Sequence, residues 1–186
     1  MSLYSIDNLL QLTRLAHTNQ MGADLVMAME NSGTPVTGDN VRRYPDGKPR
    51  LDMVGMSWGL ASATIGGAAQ GPRSYAPLTV VRQADSASAI LTQLTNTRAA
   101  NLRATISKYL AGGDASVTAD TLPMFELKID EAQITAQYFI TAPGDVMLYE
   151  ILVFSYRKIE IRTAPQQGTG SRGATRECQI IVASMS

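Results

Sequence analysis

The feature that most constrains this chain is a pair of strand-like runs, one from Phe125 and one from Val146 to Thr163, joined by Ala142-Pro143-Gly144-Asp145. A two-residue period places successive side chains on opposite faces, so both arms read as strands. Pro143 and Gly144 stand where a type II turn wants them, which predicts a hairpin. In the first arm Phe125, Leu127 and Ile129 occupy odd positions, whereas Ile134, Ala136, Tyr138 and Ile140 occupy even ones. The face must therefore reverse near Glu131 to Gln133, as a bulge requires. In the second arm Ile151 to Phe154 is apolar on both faces, which a strand wetted on one side does not tolerate. Something must cover its outer face.

Other segments repeat the strand signal. Leu25, Met27 and Met29 alternate within Asp24 to Glu30, so these methionines, with Met53, read as core. Residues 31 to 49 hold too many Gly, Pro, Asp and Asn residues for a regular element and read as a long loop. Arg50 to Ser57, the stretch after Trp58-Gly59, residues 77 to 83, Leu102 to Ser107 and Glu177 to Ala183 each predict a strand. Between them Ala87, Ile90, Leu91 and Leu94 follow helical spacing behind Asp85 or Ser86 as cap. Residues 5 to 16 predict a second, short helix with Ile6, Leu9 and Leu10 on one side. The expected architecture is mainly β, a barrel or two packed sheets around one helix. Residues 1–22 form an extension and 23–186 the domain.

Composition excludes several functions. The 186 residues suffice for one core. One cysteine, Cys178, can neither close an internal disulfide nor build a thiolate zinc site; in its strand it reads as a small buried hydrophobe. Lys+Arg and Asp+Glu each count 16, so the net field attracts neither nucleic acid nor anionic lipid strongly. Charged residues at 17% against 45% hydrophobic exclude a disordered chain and hint at surface covered by other protein. No apolar run approaches the ~18 residues that span a bilayer, and no basic n-region of a cleavable signal is visible.

The motifs that invite chemistry fail in context. Gly55-Met56-Ser57-Trp58-Gly59 fits the nucleophile elbow, yet no helical period follows it, and the single histidine, His17, lies upstream of the serine. Gly168 to Gly173 fits a dinucleotide fingerprint with too little chain left for its helix and acid. Glu126 and Asp130 fall on the polar side of their strand, and Arg157, Lys158, Glu160 and Arg162 mark a solvated or partner-facing edge. No catalytic residue, metal or cofactor is expected.

Taken together, DLVMAME (24–30), LDMVGMSWGLAS (51–62), LTVVRQADSASAIL (78–91), LRATISKYL (102–110) and YEILVFSYRKIEI (149–161) resemble the haemolysin-coregulated (Hcp) proteins of bacterial type VI secretion. Glu150, Phe154, Tyr156 and Ile159 stand in matching places, and the likeness runs from residue 24 to 184. Residues 1–22 precede the family's usual start, and the loop from Asn31 to Pro49 is longer than its pattern needs. The resemblance implies a β-barrel with a flanking helix, six copies closing into a ring, and stacked rings expelled by a contracting sheath. It implies a spike protein at the tip, effectors in the lumen, and assembly in the cytoplasm before export without a signal peptide. A phage-like contractile tail and a monomeric barrel or sandwich binding a small ligand or glycan in a concave mouth, suggested by the loop-rich design with Trp58 and seven tyrosines, are the alternatives. Subunit contacts are expected at Ile151, Leu152, Val153, Phe154 and Tyr156, with part of loop 31–49. On that expectation, Val153→Asp would dissolve rings.

Overall fold

The computed structural model describes residues 23–44, 46–63, 71–110, 122–141, 147–164 and 173–182. The strands are β1 (Ala23–Asn31), β2 (Thr34–Pro35), β3 (Leu51–Asp52), β4 (Gly55–Ser57), β5 (Leu60–Ser62), β6 (Arg73–Tyr75) and β7 (Leu78–Gln83). After helix α1 (Ala87–Asn96) come β8 (Leu102–Leu110), β9 (Phe125–Thr141), β10 (Leu148–Ser155), β11 (Lys158–Thr163) and β12 (Arg176–Ile181). The main sheet runs β2-β1-β8-β9-β10-β7-β4, with β3 also on β1, β11 beside the first half of β9, and β12 beyond it. Every pairing is antiparallel. The fold is mainly β with one helix, as expected, but the barrel does not close: β12 and β4 are each paired on one side only among the described residues. The expected extension, His17 and the turn at 142–145 lie outside the described residues.

β9 bends the single path into two layers. Opposite β8, Leu102 pairs with Ala132 but Ala104 with Ile129, so β9 carries an extra residue, and Glu131 there adopts a left-handed φ of 50°. This is the anticipated face reversal, and it keeps Leu127, Ile129, Ala132 and Ile134 in one core. A second irregularity went unanticipated. Against β10, Val153 pairs with Ala136 and Phe154 with Ile134, which leaves Thr135 over, its hydroxyl donating to the Val153 carbonyl at 3.1 Å. The face reverses again. Ile134 stays in the main core, while Tyr138 and Ile140 join a separate cluster on the other side.

The main core joins Met27, Met29 and Ile106 from one layer to Leu78, Val80, Leu152 and Phe154 from the other, under Leu91 and Leu94 of α1. Each such side chain contributes about 1.5–3 kcal/mol by leaving water. α1 forms because Ala87, Leu91 and Leu94 bury one stripe. Its cap is Asp85, whose carboxylate accepts the Ala87 N–H at 2.9 Å; Ser86 makes no side-chain cap bond. Arg98, at φ 54°, ends the helix and lets the Ala99 N–H reach the Leu94 carbonyl at 3.0 Å. Ser32 and Gly33, both at positive φ, make the tight β1–β2 turn.

Candidate assembly surface

The five residues expected to meet a neighbour are buried within the single chain. Ile151, Leu152, Val153 and Phe154 are at most 1% exposed and Tyr156 is 3% exposed. Leu152 and Phe154 complete the main core, whereas Ile151 joins Tyr149 and Val81 on the opposite face, packed by Val54, Tyr138 and Ile140. The two-sided apolar pattern therefore records two-sided burial in one chain, and these side chains present no surface of their own. Tyr156 is tied down as well: its hydroxyl donates to the Ala76 carbonyl at 2.9 Å and accepts the Trp58 indole N–H. Burial pushes the Tyr156 phenol up, and the Trp58 bond only partly opposes this. Trp58 is thereby held as a packed strut rather than displayed as a platform.

At one end of the inner face the core turns polar. Arg82 and Glu150 are fully buried and paired. Glu150 also accepts from Gln137 and, at 3.0 Å, from the Ser88 hydroxyl, and Arg82 pairs with Asp85. Asp85 in turn accepts the Asp39 N–H at 3.2 Å, and the Ser86 hydroxyl donates to Asp39. The long loop is thus fastened to the helix start. Gly38 makes this approach possible, since a Cβ there would overlap the Asp85 carboxylate and lie 2.8 Å from Leu51 Cδ2. Further along, Tyr44 of the same loop packs on Val26 and Tyr109, with the guanidinium groups of Arg42 and Arg50 at 5.4 and 4.9 Å from its ring centroid.

Burial alone would raise the Asp85 carboxyl, but the hydrogen bond and charge of Arg82 hold it below the ordinary carboxylate range. Asp130 behaves alike: burial opposes, and Arg103 with Lys128 prevails. A lowered folded pKa contributes stability that is complete above the unfolded value of about 3.9 and lost as pH falls through the folded one. The unfolding temperature should therefore fall steeply below about pH 4, and Asp85→Asn should flatten that slope while lowering the neutral-pH value. A slope unchanged in D85N, followed by circular dichroism, would refute the assignment.

Outside, the layer made of β1, β8, β9, β11 and β12 is a ladder of opposite charges. Glu30 stands opposite Arg103, Arg103 and Lys128 bind Asp130, and Arg162 bridges Glu160 and Glu177 at 2.6 and 3.1 Å. Glu160, expected at a solvated edge, is buried at its centre. A concavity of about 450 Å³ lined by Glu30, Gly33, Arg103, Asp130 and Lys158 shares this charged character. Cys178, expected to be buried, is exposed, because β12 is an outer strand that only Ile180 ties to the core. Ser57 ends β4 and is followed by β5, not by the helix an elbow needs. Among the described residues no group of three or more His, Cys, Asp or Glu side chains could hold a metal ion.

Apolar surface left in the open lies elsewhere. Toward the far ends of β9 and β10, Phe139 is 48% exposed and Leu148 43%. Ile181 on β12 is 76% exposed. Both lie beside open edges: β12 pairs only with β11, and residues 133–141 of β9 pair only with β10 among the described residues. Sequence reasoning missed Phe139 and Leu148 because it counted apolar residues without their face. Parity gave no signal, since Leu148 shares the parity of Glu150, which is fully buried.

Open strand edges beside exposed apolar residues define a small β protein with surface suited to association. Its fold is that of the Hcp proteins. Hcp1 of E. coli EAEC 042 superposes with a TM-score of 0.62 at 15% identity, over 83% of this chain and 97% of that one. Hcp1 of Salmonella typhimurium gives 0.61 at 13%, over 85% and 95%. A type VI secretion system effector from Yersinia pestis gives 0.59 at 15%, over 84% and 99%. No family model and no curated protein matches the sequence.

Proposed function

We propose that this chain is a structural subunit of a type VI secretion tube. Six copies close into a ring, rings stack, and a contracting sheath expels the tube with a spike at its tip and effectors in its lumen. The chain assembles in the cytoplasm and leaves with the tube, and its role is mechanical rather than enzymatic. The observation that carries this reading is a fold shared with Hcp proteins over most of both chains. Open edges at β12 and the outer half of β9 fit it, because a contact repeated by rotation covers one edge with another and leaves none exposed. The contact is assigned to the far ends of the β9–β10 hairpin at Phe139 and Leu148 and to β12. Ile151, Leu152, Val153, Phe154 and Tyr156 support it from beneath as the packed strand that carries the hairpin.

The ligand-binding alternative loses its main motive, since Trp58 is bonded to Tyr156 and the 450 Å³ concavity is lined by charged groups, of which Arg103 is paired with Asp130 and Glu30. Negative-stain imaging of the purified protein at micromolar concentration tests the proposal. Six-fold rings are expected; a monodisperse monomer at every concentration would overturn it. Rings found beside genes for a phage-type tail would move the same subunit to that particle.

A further inference from the structure

The loop between β2 and β3 crosses the outward face of β1 and β8. On that face Val26, Ala28 and Glu30 stand opposite Ser107, Thr105 and Arg103, whereas Met27, Met29 and Ile106 turn into the main core. Val26, Ser107 and Tyr109 are nonetheless buried. The loop covers them: Tyr44, 7% exposed, packs on Tyr109 with ring centroids 5.6 Å apart. Asp46, Lys48 and Arg50 share with Ala28 and Thr105 the lining of a cavity of about 70 Å³. Both feet of the loop are fixed, since Val36 and Leu51 belong to the main core, the Val36 N–H donates to the Met29 carbonyl at 2.8 Å, and Leu51 pairs with Met27. We propose that the span between them, residues 37–44 and 46–50, is a strap that opens and closes as one unit on these feet while the sheet stays folded. Closed, it displays Val41, 95% exposed, beside Arg42 and Arg43; open, it uncovers Val26 and Tyr109 instead.

Three observations carry this. The first is how the strap is fastened. The Ser86 hydroxyl donates to Asp39, the Asp39 N–H to Asp85 at 3.2 Å and the Asn40 amide to Asp52 at 2.5 Å, and Lys48 pairs with Glu30. Exposed polar contacts of this kind hold weakly, and among the described strap residues only Tyr44 and Arg50 are buried. The second is internal stiffness. The Arg42 N–H returns to the Asn40 side chain at 2.8 Å, the Gly47 N–H to the Tyr44 carbonyl at 2.9 Å and the Lys48 N–H to Asp46 at 3.2 Å, and Arg50 binds Asp46 at 2.6 Å. Such a segment moves as a body. The third is what lies beneath. Arg50 Nε and the Ser107 hydroxyl are buried with no hydrogen-bond partner among the described residues. Opening hydrates both, which recovers solvation that closure forfeits and makes this face easier to open than the apolar main core.

The strap does not rest on the tube reading, because a chain that never formed rings would still carry it. Its test uses the full chain with Cys178→Ser and either Ser107→Cys, beneath the strap, or Ala104→Cys, on the core face of the same strand. Without denaturant, a thiol reagent should label position 107 at least about tenfold faster than position 104. Tyr44→Ala and, separately, Ser86→Ala, which removes the hydroxyl bonded to Asp39 and no side-chain cap bond of α1, should each speed labelling at 107 severalfold and leave 104 unchanged. Equal rates at the two positions would overturn the proposal, because the face would then open only with the whole chain. So would substitutions that speed neither position or both alike. Amide exchange in the parent chain, followed by NMR, needs no substitution. The bonded amides of Asp39, Arg42, Gly47 and Lys48 should share one protection factor, at least about tenfold below that of β8. Values equal to those of β8, or scattered among the four by more than about tenfold, would refute a single opening unit.

Discussion

Glu150→Ala should destabilise the chain by about 3–5 kcal/mol, the usual effect of leaving a buried charge without its partner. The reason is the inventory around it. Arg82 is fully buried and pairs with Glu150 and Asp85, and Ser88 and Gln137 direct their hydrogen bonds at the same carboxylate. Removing that carboxylate orphans donors from β7, β9 and α1 in one step. Arg82→Met combined with Glu150→Leu should recover most of the loss, since replacing both members of a buried pair by apolar groups is often neutral. Urea denaturation of the two variants beside the parent decides it. A single-variant loss below about 1 kcal/mol, the ceiling for an exposed pair, would mean that water reaches the pair and that the network does not anchor the helix and loop.

Such a network explains where sequence reading stopped. Local pattern was enough for the elements themselves: Leu25, Met27 and Met29 announced β1, although Val26 and Ala28 on its other face are buried too, and Ala87, Ile90, Leu91 and Leu94 announced α1, although Ile90 is exposed. The reversal at Glu131 was legible because polar and apolar residues exchange parity around it. The second bulge at Thr135 was not, because Ile134, Ala136, Tyr138 and Ile140 keep one parity while the backbone steps over a residue. Two-sided burial of β10 was legible, but its cause was not. An apolar outer face reads the same whether a neighbour or the chain itself covers it, and only the exposures near zero at Ile151 and Val153 separate the two. Glu160 and Cys178 were misjudged for one reason: residue type was taken for environment, when sheet position decides it.

Burial also inverts the expected result of the simplest interface test. Val153→Asp would place an unpaired carboxylate at a site 1% exposed, so it should unfold the chain, with a loss of about 3–5 kcal/mol, rather than release folded monomers. Leu148→Asp should do the reverse. Its side chain stands 43% exposed at the start of β10, so a carboxylate there remains hydrated in the monomer, and the unfolding midpoint should move little. In the proposed ring the same carboxylate would be desolvated against a neighbour at every repeat. A penalty of about 2–4 kcal/mol per contact weakens each by roughly 30- to 800-fold, and closure needs all of them at once. Sedimentation should therefore report folded monomers for Leu148→Asp, and for Phe139→Asp by the same reasoning, at concentrations where the parent forms rings. Rings persisting in both variants, with circular dichroism unchanged, would remove the hairpin from the contact and leave the β12 edge to account for association.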